Sequence, residues 1–195
     1  MKTFIYMVRH SESPKTEGNE RTRGLTDKGK SDANRITQLL EGEGIEVFVS
    51  SPYQRAILTL QELAQCSGQE IIVFEDLKER IFLNEDSRMP DNELLPLLEK
   101  SYSDPTFSLT GGESNADCQN RAITVLKDLL KIYRGRKIAL GTHGVVMTLM
   151  MGHYDNQYDL NFLCHLISKP DVYRMEFNDG ALVEVTRMWN PARVQ

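Results

Sequence analysis

Apolar positions along the chain follow two alternating rhythms. Short unbroken runs, Thr3 to Val8, Val47 to Val49, Ile71 to Val73 and Lys137 to Leu140, read as strands buried on both faces, as parallel strands usually are. Between them lie stretches with apolar residues at helical spacing: Ala33, Ile36, Leu39 and Leu40, then Ile57, Leu58, Leu60 and Leu63, then Ala122, Val125, Leu126, Leu129 and Leu130. Thr26 is placed to cap the first of these helices, which Gly42 and Gly44 close. Ser51-Pro52 predicts the start of the second, with Ser51 as its cap, Pro52 at its first position and Arg55 on its first turn; Gly68 ends it. Ser114 opens the third, which runs to about Tyr133. A shorter helix is expected from Val145 to about Met151. Asp171 to Phe177 and Ala181 to Met188, joined through Asn178-Asp179-Gly180, predict a hairpin.

Strands alternating with helices imply an α/β fold. The expected architecture is a three-layer α/β/α sandwich with a mostly parallel sheet, to which the late hairpin contributes an edge strand or two. The length of 195 residues fits one domain over 1–195. Two stretches break the rhythm. Ser11 to Arg23 is a long polar loop with Pro14, Gly18 and Asn19. Residues 80–112 hold one short helix, Asp91 to Lys100, among Pro90, Asp104-Pro105 and Gly111-Gly112, and read as a cover over the sheet edge.

Composition narrows the class. Apolar residues make up 40% and charged residues 26%, so the chain folds as a globular protein. Twenty-three Lys and Arg against 28 Asp and Glu give a net charge of -5, which argues against a nucleic-acid partner and confines any basic site to a local patch. Cys66, Cys118 and Cys164 lie far apart without CxxC spacing and read as buried thiols in a reducing compartment. Met147, Met150 and Met151 read as core filler. The first apolar run is too short for a secretory or membrane segment, so a cytoplasmic location and no membrane partner are expected. Oligomeric state is not legible.

The candidate chemistry lies where strands end. Arg9-His10, Arg55, Glu79 and Gly141-Thr142-His143-Gly144 each follow a predicted strand or open the next helix, the side of an α/β sheet where ligands collect. Two guanidiniums, two imidazoles, one carboxylate and a helix N-terminus suit a phosphate group. A neutral imidazole is a competent nucleophile, and the neighbouring arginines disfavour its protonation.

These motifs resemble the histidine phosphatase superfamily, which includes phosphoglycerate mutases and many small phosphatases. Arg9-His10-Ser11-Glu12-Ser13 is similar to its Arg-His-Gly-(Glu/Gln)-Thr/Ser signature, Gly24-Leu25-Thr26-Asp27-Lys28-Gly29 to its Leu-Thr-x-x-Gly segment, and Ser50-Ser51-Pro52-Tyr53-Gln54-Arg55-Ala56 to its Ser-Ser-Pro-x-x-Arg-Ala segment. Gly112-Glu113-Ser114 and Thr142-His143-Gly144 match two further elements, so the resemblance spans about residues 4 to 150. It implies a phosphatase acting on a small phosphomonoester. His10 would be the nucleophile that becomes phosphohistidine and Glu79 the general acid and base, with Glu75, Asp76 and Glu85 as competitors for that role. The resemblance further implies a phosphate pocket of Arg9, Arg55 and His143, with Ser11, Thr16 and Gly144 beside it, and neither metal nor cofactor.

Three departures favour a phosphatase over a mutase or bear on the pocket. Ser11 stands where glycine is usual, where it could crowd or hydrogen-bond the phosphate. Thr16 replaces an asparagine, and the Tyr-Gly-x-Leu stretch of mutases is missing after Glu79. Glu12 is expected to support the loop. Arg21 and Arg23 are either substrate contacts or a solvated loop. A mutase, a non-catalytic phospho-ligand-binding module and a zinc hydrolase using His10 and His143 are the alternatives; for zinc, His153 and His165 lack a ligand motif and the arginines would repel the cation.

Overall fold

The computed structural model describes residues 1–86 and 89–191; residues 87 and 88 of the expected cover segment lie outside them. A six-stranded sheet runs in the order β3-β2-β4-β1-β5-β6. Its strands are β1 (Lys2–Arg9), β2 (Val47–Ser50), β3 (Ile71–Val73), β4 (Lys137–Thr142), β5 (Asp171–Asn178) and β6 (Ala181–Arg187). The first four are mutually parallel, whereas β5 and β6 pair antiparallel as the predicted hairpin.

Alternation along the strands sorts the core between two faces. Ile5 and Met7 of β1 and Ile138 and Leu140 of β4 pack with α4 (Asn115–Ile132) and α5 (Gly144–Gly152). Tyr6 and Val8 of β1, Phe48 of β2 and Ala139 of β4 pack on the other face with α1 (Asp27–Leu40) and α2 (Gln54–Cys66). Helices therefore cover both faces. The remaining helix, α3 (Asp91–Ser103), belongs to the expected cover segment. Met147, Met150 and Met151 are wholly buried, as core filler should be.

Caps set several helix starts. Thr26 accepts the Gly29 N–H, and Ser114 with Asp117 forms a reciprocal capping box. Ser51 does not cap α2. That helix starts two residues later than Pro52 predicts, behind Tyr53, because the Ser51 hydroxyl is turned to the Tyr53 N–H and to a buried histidine.

Two other expectations are corrected, and one element is new. β3 is an edge strand with Ile72 41% and Val73 47% exposed, not a buried one. Cys66 and Cys164 are exposed, and Cys118 alone of the three is buried. A π-helical turn at Phe162–Leu166 follows α5, where no periodicity announced one. No helix among the described residues is long and apolar enough to cross a membrane.

Candidate active site

The carboxyl ends of β1, β4 and β2 lie side by side, with Arg9 opposite Thr142 and Ser50 opposite Gly141. The residues that follow each strand, His10, His143 and Ser51, therefore meet at one rim. The His10 N–H continues the ladder by donating to the Thr142 carbonyl at 2.9 Å. The two imidazole rings stand 5.2 Å apart.

Hydrogen bonds assign the tautomer of His10. Its Nδ1 lies 2.7 Å from the Ser11 carbonyl, which can only accept, so Nδ1 carries the proton. The Nε2 lone pair is left to face Arg55, whose Nε donates to it at 3.3 Å. Burial first, and then the charge of Arg55, hold the His10 pKa well below 6.5, so the ring is neutral at neutral pH. His143 is likewise neutral, again through burial and Arg55. Its Nε2 lies 2.7 Å from the Ser51 hydroxyl, which also accepts the Tyr53 N–H, and its Nδ1 has no hydrogen-bond partner among the described residues. His143 is wholly buried, one layer behind the cavity wall.

A cavity of about 640 Å³ opens above this rim, and Arg9, His10, Arg55, Glu79 and Gly144 all line it. Arg9 packs against Gly144: a Cβ there would come 2.9 Å from Arg9 Nη2, so glycine lets the guanidinium approach the N-terminus of α5. Burial, reinforced by Arg23, brings the Arg55 pKa down to about 10, still charged at neutral pH. The Glu79 carboxylate caps α5, accepting the Val145 N–H at 3.1 Å and the Val146 N–H at 2.9 Å. Its competitors lie elsewhere. Glu75 pairs with Arg21 and Lys78, Glu85 accepts from Tyr53 and Arg21, and neither they nor Asp76 line the cavity.

Ser11 and Thr16 are not brought into the cavity. The Ser11 side chain is buried behind the rim while its N–H donates to Thr59 at 3.0 Å; Thr16 is exposed on the loop. Arg23 lines the cavity, and Arg21 is tied outside it to Glu75 and Glu85. Glu12 does support the loop, its side chain accepting from the Thr26 hydroxyl at 2.9 Å.

Two important residues carry no sequence signal. Glu20 comes from the irregular loop, and its carboxylate accepts from Arg55 Nη2 at 2.8 Å and from Arg23 Nη2 at 3.1 Å. Arg121, on the polar side of α4, pairs with Glu113 and donates to the carbonyls of Asp76 at 2.7 Å, Lys78 at 2.9 Å and Glu79 at 3.3 Å. It holds the backbone that presents Glu79. Arg121→Ala is expected to destabilise the fold by about 3 kcal/mol in urea unfolding, since it removes these bonds and strands Glu113; a change within about 0.5 kcal/mol would show that the clamp is dispensable.

The family profile of the histidine phosphatase superfamily (branch 1) matches residues 5–190. Phosphoserine phosphatase 1 of Hydrogenobacter thermophilus is 29% identical over 162 residues, 75% of this chain and 73% of that protein. Phosphoglycerate mutase-like protein 4 of Arabidopsis thaliana is 29% identical over 156 residues, 73% of this chain and 67% of that one. A similar fold occurs in a histidine-to-alanine mutant of phosphoserine phosphatase from Entamoeba histolytica, solved with phosphoserine, at a TM-score of 0.78 and 22% identity over 95% of this chain and 96% of that one. With its motifs gathered at one sheet rim and nearly its whole length matched, this chain belongs to the histidine phosphatase superfamily, branch 1.

Proposed function

We propose that the protein is a metal-independent phosphatase that hydrolyses a small phosphomonoester through a phosphohistidine on His10. The observation that carries this reading is the Nδ1–H bond of His10 to the Ser11 carbonyl, which leaves Nε2 as an unprotonated nucleophile at the cavity, among Arg9, Arg55 and Glu79. The phosphatases among its relatives and structural neighbours support it.

In the first half-reaction, Nε2 attacks phosphorus as the bond to the ester oxygen breaks, and the Glu79 carboxyl gives its proton to that oxygen. The phosphorylated ring is formally cationic, and the Ser11 carbonyl on Nδ1–H stabilises it. In the second, Glu79 takes a proton from water, the oxygen attacks phosphorus, and the N–P bond breaks to return neutral His10. Arg9 and Arg55 neutralise the phosphoryl oxygens, while His143 packs against the His10 ring from behind the wall. Incubation with p-nitrophenyl phosphate in EDTA tests the reading. Turnover by wild type with none by His10→Ala is expected, and equal rates would refute it.

Glu20 has a defined place in this scheme. Its carboxylate holds the guanidinium groups that a phosphoryl group needs, so substrate and product must displace it from Arg55 and Arg23. Glu20→Gln keeps an acceptor and removes the competing charge. The inhibition constant for inorganic phosphate is therefore expected to fall roughly tenfold. An unchanged or higher constant would mean that Glu20 holds the arginines in place instead.

A further inference from the structure

The cavity wall combines polar and apolar stretches. Beyond the His10 rim its wall is built from Phe82, from Leu94, Leu95 and Leu98 on one side of α3, from Val145 at the start of α5, and from Leu163 on the π-helical turn. These elements come from three separate parts of the chain, yet each turns an apolar side chain to the same space. Leu95 keeps 47% of its surface exposed at the mouth, as does Leu83 with 46%, among the few large apolar groups that the fold leaves open.

The charged groups fit the same division. Lys169 acts at the phosphate end, where its charge bears on both histidines. Arg80 also lines the cavity, where it stacks on the Phe82 ring at 3.9 Å and donates to the Phe107 carbonyl at 3.4 Å. On α3, the charged side chains lining the cavity are Asp91 and Glu93, both acids. Along α3 a carboxylate carried by the substrate would meet hydrocarbon and negative charge, the cations Arg80 and Lys169 lying on other parts of the wall. A cavity of about 640 Å³ is also far larger than a phosphate ion needs and falls in the range of pockets that enclose drug-sized ligands.

We infer that the substrate is a phosphomonoester of an apolar alcohol or phenol, whose phosphate sits at Arg9, Arg55 and His10 and whose hydrocarbon body lies against α3 and Leu163. The inference rests on the phosphatase reading above and adds the class of leaving group. Phosphoserine, the compound bound in the related Entamoeba histolytica enzyme, carries instead a carboxylate and an ammonium group.

A series of n-alkyl phosphates from ethyl to hexyl tests it on the full chain. Each added methylene that leaves water for the wall is expected to raise kcat/KM about fourfold, and phosphoserine is expected to fall below butyl phosphate. Leu94→Gln and the more exposed Leu95→Gln should each flatten the series, lowering the hexyl-to-ethyl ratio. A ratio near one in wild type, or phosphoserine turned over faster than hexyl phosphate, overturns the inference while His10-dependent hydrolysis of p-nitrophenyl phosphate still upholds the phosphatase reading. Failure of every ester, with no phosphate label on His10, removes both.

Discussion

His10→Ala is expected to lower kcat by about 10⁴-fold or more and to abolish the phosphoenzyme. The loss is large because the proposed mechanism runs through a bond from His10 to phosphorus, and neighbouring groups that stabilise charge cannot replace a covalent step. A radiolabelled substrate quenched in mid-turnover should leave label on wild type that is stable to base and labile to acid, and none on the variant. The same imidazole sets a pH limit. Its folded-state pKa lies below 6.5, so the lone pair persists into mildly acid solution, and the acid limb of kcat/KM assigned to His10 should fall below that value. Stability follows the same sign. The unfolded chain binds a proton on each histidine as pH drops through about 6.5, while buried His10 and His143 do not, so the stability they allow is present above that pH and is lost progressively below it. Retention of label by the alanine variant would remove His10 from the mechanism.

Glu79→Gln carries the second large effect, a fall in kcat of about 10²- to 10⁴-fold with alkyl phosphates. The amide cannot give up a proton to a poor leaving oxygen or take one from water. The size of the loss should depend on the leaving group, which separates proton transfer from mere disturbance of α5. With p-nitrophenyl phosphate, whose phenolate departs without help, the first half-reaction should be nearly spared and label should accumulate on His10. Glutamine also turns an N–H group toward the amides of Val145 and Val146, so part of any uniform loss would be structural. An equal loss for both kinds of ester, without accumulated label, would count against Glu79 as the acid.

The sheet and most helices are legible in the sequence because their signals are local. Apolar runs mark strands, and Thr26 and Ser114 cap helices through atoms three residues away. What an apolar run cannot reveal is its place in the sheet, so Ile71–Val73 reads as buried on both faces when it lies exposed at the edge. Ser51 misleads for a related reason: its hydroxyl has a partner 92 residues away in His143, and tertiary bonding overrides the local cap. The candidate site follows the same division. Arg9, His10, Arg55, Glu79 and Gly144 reach the cavity because strand ends and helix starts carry them there. Glu20 and Arg121 are invisible because their roles depend on partners far along the chain, and Thr16, chosen by its position after His10, projects from the loop instead.

The direct backbone bond between His10 and Thr142 has a consequence for how such a protein can change. Because β1 and β4 are neighbours in register up to Arg9 and Thr142, the backbones that carry the two imidazoles are held one strand spacing apart, like rungs on a ladder. Loop movement can alter what reaches the histidines but has no lever on the spacing of their backbones. New substrates are thus open to this scaffold by rewriting the loop that carries Glu20 and the segment that carries α3, while the reacting centre keeps the dimension that the hydrogen-bonded strands impose.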